Sequence, residues 1–117
     1  MIEELIGKVF CARNETHLEH WRTKSYAVHK ALGNFYEDVI ELLDDLVEAY
    51  QGNFGIIGEV KFPEEKYKDC IKCLTDQVTW IAEHRNHIAQ DVNALENIVD
   101  EITGLYLKTL YKLENLS

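Results

Sequence analysis

Residues 25–51 place Val28, Leu32, Phe35, Val39, Leu43, Leu46 and Tyr50 at spacings of three or four. That period puts all seven side chains on one side of an α-helix. At 1.5 Å rise per residue the helix is roughly 40 Å long. So long an apolar stripe has to be covered, and the rest of the chain supplies the cover in helical form. Residues 2–22 repeat the period at Ile2, Leu5, Ile6, Val9, Phe10 and Leu18. Thr23-Lys24-Ser25 reads as a tight break, with Ser25 or Thr23 capping the long helix.

Gly52-Asn53-Phe54-Gly55-Ile56-Ile57-Gly58 ends that helix. The stretch from there to Pro63 is about a dozen residues and spans up to roughly 40 Å when extended. A hairpin needs only about two to eight residues. The segment therefore reads as a crossover that leaves the second and third helices parallel. Pro63 suits a first helical position, with Glu64 and Glu65 in the first turn, so the third helix is expected from 63 to about 87. A fourth is expected near 91–114, on Leu95, Val99, Ile102, Tyr106 and Leu110. The fold class that follows is all-α, one domain over residues 1–117. Four amphipathic helices with one long crossover between helices 2 and 3 make the ferritin-like version of the four-helix bundle.

The chain has 117 residues, 46% hydrophobic content and a net charge of −9. That balance supports a packed core and repels phosphate backbones, so nonspecific nucleic-acid binding is not expected. No stretch approaches the ~20 apolar residues of a membrane span, and the first residues lack a secretory apolar run. Cys11, Cys70 and Cys73 make an odd count, which fits a reducing, cytoplasmic setting.

Four side chains of the first half suggest a metal centre. His17 and His29 are twelve apart, Asp44 follows fifteen later and Glu48 four after that. Two imidazoles and two carboxylates suit iron or a similar divalent ion. Asp44 and Glu48 share a helix face. His29 lies on the same helix roughly 22 Å away, beyond the reach of one ion. A second copy of the helix, antiparallel about a two-fold axis near Tyr36–Glu37, brings His29 of one chain level with Asp44 of the other. The partner this reading expects is the chain itself.

The H-x11-H-x14-D-x3-E spacing, the His20-Trp21 pair, the Ser-Tyr-Ala-Val-His start of the second helix and the Leu-Asp-Asp-Leu-Val-Glu segment resemble the Dps-type mini-ferritins. The resemblance covers residues 17 to 48. It implies an iron (Fe2+/Fe3+) site between subunits and ferroxidase-like chemistry. The metal ligands would be His17, His20, His29, Asp44 and Glu48. Spacing selects His17 and the neighbouring Trp selects His20, so both stand. The shortness and acidity of the chain do not carry over DNA binding, and they leave both a dimer and the family's twelve-subunit cage open. The pattern is also similar to compact ferritin-like proteins of tailed phages.

Two other classes of function compete. One is a metal-free helical interaction or structural protein that keeps the ligand spacing as ancestry. The other is an all-α nucleotide hydrolase using Mg²⁺ with Glu64, Glu65 and Asp69. Cys70-Ile71-Lys72-Cys73 falls inside the expected third helix and reads as structural cysteine, since redox pairs need a low-pKa thiol at a helix start. His84 and His87 fall in that helix's last turns, where their charge suits the dipole. Asp100 and Glu101 are given no role.

Overall fold

The computed structural model describes residues 1–64 and 66–116. Four helices form among them and no strand: α1 (Ile2–Arg22), α2 (Tyr26–Phe54), α3 (Cys70–Ala89) and α4 (Asn93–Asn115).

The α1–α2 turn falls where the sequence places it. Ser25 caps α2, its hydroxyl accepting the Val28 N–H at 3.2 Å. The far end of α2 runs past Gly52 and stops at Gly55, whose φ of 93° suits a residue without Cβ. The third helix corrects the sequence reading: it opens at Cys70, not Pro63. A start at Pro63 would leave Phe62 at the cap position, with no oxygen for the first free N–H groups. Asp69 supplies one, its carboxylate accepting the Lys72 N–H at 2.8 Å. α3 ends on Gln90 and Asp91, both in the left-handed region (φ 49° and 61°), and the Gln90 amide donates to the Tyr50 hydroxyl at 2.7 Å. That bond ties the α3–α4 turn to the end of α2.

α1 packs on α2 and α3, and α4 packs on the same two, so α2 and α3 lie across a diagonal. The connection between them climbs α1. The Glu3 carboxylate accepts the Gly58 N–H at 2.8 Å, and Phe62 stacks on Phe10 at 6.0 Å. The Cys70 thiol then reaches the Glu15 carbonyl at 3.6 Å. From there α3 descends, and Gln77 donates to the Lys8 carbonyl at 2.9 Å. Thus α3 is antiparallel to α1 and parallel to α2, as the length of the crossover implied. Gly7 permits the close contact, because a Cβ there would sit 2.5 Å from the Lys61 carbonyl oxygen.

The core runs the length of the bundle, from Leu5 and Val9 through Phe35 and Val39 to Ile102 and Tyr106, all fully buried. Each such side chain contributes about 1.5–3 kcal/mol by leaving water. Every apolar position expected on the fourth helix is buried. Leu18, expected on the apolar side of the first, is 37% exposed.

Candidate functional site

The three histidines expected to bind metal meet where α1 and α2 turn into one another, and they are occupied with each other. His20 and His29 stack with ring centroids 3.7 Å apart and planes 18° from parallel. Each ring reaches across to the other's main chain: His20 Nδ1 to the His29 carbonyl at 2.6 Å, and His29 Nδ1 to the His20 carbonyl at 2.7 Å. A carbonyl oxygen only accepts, so both Nδ1 atoms carry protons and the Nε2 atoms are left to other partners. The stack is possible because α2 has glycine at position 33. A Cβ on Gly33 would meet His20 Cε1 at 3.0 Å.

His17 lies one turn earlier on α1. Its ring stacks on Tyr36 at 4.0 Å and tilts against Trp21 at 4.3 Å, and the Arg13 guanidinium covers Tyr36 at 5.3 Å. Loss of water contact, then the nearby Arg13 charge, then His20 hold the His17 imidazole below its ordinary pKa. Trp21 and Tyr26 complete the surface, 67% and 76% exposed. A recess of about 290 Å³ opens here, lined by His20, Tyr26, His29, Lys30, Gly33, Asn34, Tyr36 and Glu37.

Asp44 and Glu48 are exposed on α2, fifteen and nineteen residues beyond His29, and within one chain they do not approach the imidazoles. Among the described residues no three His, Cys, Asp or Glu side chains gather as a metal site. The stacked pair also fails the geometry of a shared ion. Imidazole lone pairs lie in the ring plane, and these planes meet only about 11 Å away (3.7 Å divided by tan 18°), against the ~2.1 Å of a metal–nitrogen bond. In this arrangement at most one of the two rings can ligate a given ion.

The other sequence candidates separate as follows. Cys70 and Cys73 are buried, as expected of structural thiols, but Cys70 sits at the start of α3 rather than inside it. Burial first, then Glu19, Glu15 and Asp69, push the Cys70 thiol up to about 12. Asp100 binds Arg85 in a two-pronged pair (2.6 and 2.9 Å), which holds its carboxyl below the usual range. His84 Nδ1 donates to the Trp80 carbonyl at 2.8 Å. Of the acids considered for a hydrolase, Asp69 caps α3, Glu64 is exposed on the crossover and Glu65 lies outside the described residues. Sequence reasoning missed Gly33, Tyr26 and Lys30. The available signal was a glycine in the middle of the strongest helical run, which marks a close approach.

Comparison with known proteins then decides the family. Residues 20–113 match the family described as "Family of unknown function (DUF5856)". The chain belongs to this family. It is also 30% identical over 115 residues to the "Uncharacterized 14.6 kDa protein in mobD-ri intergenic region" of Enterobacteria phage T4, covering 95% of this chain and 86% of that protein. No solved structure matches. These findings overturn the mini-ferritin resemblance. It rested on four spaced ligands and short segments of two helices. On α2 an Asp and a Glu four apart come cheaply, because Glu37, Asp38, Glu41, Asp44, Asp45 and Glu48 are all exposed there. Iron oxidation was implied by that resemblance alone. No described helix is long and apolar enough to cross a membrane.

Proposed function

We propose that this protein is a helical interaction protein that works as a two-fold pair, α2 against α2 in opposite directions. The observation that carries the reading is the split of the exposed side of α2. Its first turns present Tyr26, Lys30 and the imidazole-lined recess, and from Glu37 to Glu48 it presents six exposed carboxylates. At 100° per residue, Tyr26, Lys30, Gly33, Glu37, Glu41, Asp44 and Glu48 follow one outward stripe. An antiparallel copy centred on Glu37 sets Lys30 against Asp44 of the second copy. The same register sets Gly33 against Glu41 and Tyr26 against Glu48. Opposite charges arranged in this way fix partner and register more than they add affinity.

The test is molar mass in solution by sedimentation. The expected result is a dimer, reduced to monomer by Lys30→Glu or by Asp44→Lys and restored when the two variants are mixed. A wild-type monomer at high concentration, or two variants that stay dimeric, overturns the reading.

A second reading keeps a divalent ion at the same surface. The tethered Nδ1 atoms favour it, because that second contact is how ligating histidines are oriented, with Nε2 free for metal. One imidazole would share the ion with Asp44 and Glu48 of the second copy. Elemental analysis and melting with ferrous iron test it. A ligand of the folded form raises the melting temperature, and His29→Ala should abolish that rise. Metal-free dimers whose melting ignores iron rule it out.

A further inference from the structure

The opposite side of the bundle carries a second feature. Of the twelve Lys and Arg residues in a chain of net charge −9, four lysines line a single recess of about 540 Å³. Lys8 comes from α1, Lys66 and Lys68 from the crossover, and Lys72 from α3, with Tyr67, Asp76 and Trp80 completing the wall. Asp76 is the one carboxylate of that lining among the described residues, and Lys72 already holds it at 2.9 Å.

Three segments meet here because the crossover is fastened to α1, by the Glu3–Gly58 bond at one end and the Cys70–Glu15 contact at the other. On α3, Lys72, Asp76 and Trp80 succeed one another at four-residue spacing and share a face. Lys66 and Lys68, both exposed, add positive charge beside the Lys72–Asp76 pair, and a bound anion offsets it.

We propose that this recess on the α1–α3 seam binds a compact polyphosphate group, either pyrophosphate or the diphosphate of a nucleotide. Lysine ammoniums are point charges with rotatable donors, and they suit clustered phosphate oxygens that have no single planar edge. The volume lies within the ~300–1,000 Å³ of small-molecule sites. A long nucleic-acid strand would run out of the recess onto acidic surface and be repelled. The site does not depend on the α2 pairing, so each can fail alone.

The structure also supplies a reporter. The Lys8 ammonium lies over the Trp80 ring, 5.1 Å from its centroid. An anion that draws it away changes indole emission. The sequence holds two tryptophans, so Trp21→Phe leaves Trp80 as the only signal.

That variant is titrated with pyrophosphate, ADP, sulfate and a short single-stranded oligonucleotide at moderate salt. The expected result is a saturable change with pyrophosphate and ADP, at affinity about tenfold or more above sulfate. Equal affinity for the two assigns the diphosphate alone, and tighter binding of ADP assigns the nucleotide. Lys66→Glu with Lys68→Glu, both exposed on the crossover, should weaken binding about tenfold or more with helicity unchanged. Lys72→Gln, on α3, should weaken it as well. No saturable response, sulfate binding as tightly, the oligonucleotide binding more tightly, or unchanged affinity in these variants overturns the proposal.

Discussion

Tyr106 is the largest fully buried side chain, and its hydroxyl donates to Gln77 Oε1 at 2.7 Å. The Gln77 amide in turn donates to the Lys8 carbonyl, so α1, α3 and α4 are joined by two bonds inside the core. A buried acceptor that loses its donor costs about 1–3 kcal/mol. Tyr106→Phe should lower unfolding free energy by about that amount in a urea titration, and Gln77→Met added to it should recover part of the loss by removing the stranded acceptor. Tyr106 was legible in the sequence as a core position, because its spacing from Ile102 and Leu110 is helical. Its bond to Gln77 was not, since Gln77 carries no periodic signal and lies on another helix. Cys70 shows the same limit. A thiol at a helix start is ordinarily made more acidic, yet here burial and three carboxylates act the other way and hold it at about 12. Only the thiolate is nucleophilic. Cys70 should therefore resist iodoacetamide at pH 8 in native protein and label readily in urea, as read by peptide mass mapping.

At the scale of elements, the crossover does most to define this bundle, and its attachment to α1 can be tested at Gly7. A Cβ at that position would press to 2.5 Å from the Lys61 carbonyl oxygen, a backbone atom that moves only if the strap lifts. Gly7→Ala is otherwise worth about 1 kcal/mol in favour of the helix, so global stability should change little. Amide exchange at Gly58 should accelerate several-fold. The same amide reports on pH. Its bond to the carboxylate, then the Glu3 main-chain contact, hold Glu3 below its ordinary pKa. A depressed carboxylate contributes stability above its unfolded pKa and loses it as pH falls through the lower folded value. Relative to other loop amides, protection at Gly58 should thus persist at neutral pH and fade on strong acidification, and Glu3→Gln should remove that dependence. The four helices and the direction of the crossover were legible, because apolar period and linker length are local quantities. The start of α3 was not. Proline marked a permitted beginning, and the side-chain oxygen of Asp69 marked the real one. The C-x-x-C pair was misplaced for the same reason.

The whole molecule measures 44 × 26 × 22 Å and has two chemically different sides: the α2 face with its acids and imidazoles, and the α1–α3 seam with its lysines. The sequence made the histidines and acids of α2 visible as a set. It could not show that His20 and His29 spend their Nδ1 atoms on each other's carbonyls, because that exchange depends on how closely two helices approach at Gly33. The proposed pairing makes one demand that any attractive contact would hide. A two-fold axis through position 37 brings Glu37 against Glu37 of the second copy. Two carboxylates about 6 Å apart at an effective dielectric of 20–80 repel by roughly 1–3 kcal/mol. Glu37→Gln should remove that repulsion and tighten the dimer by about tenfold, each factor of ten being about 1.4 kcal/mol. Added salt should narrow the gap between variant and wild type, since the term is a screened surface interaction. Lys30→Gln, which removes the attraction to Asp44, should shift the dissociation constant the other way. Sedimentation equilibrium across a concentration series reads all three. If Glu37→Gln leaves the dissociation constant unchanged while Lys30→Gln raises it, the axis does not pass through residue 37. If neither moves it, α2 is not the surface through which the copies meet.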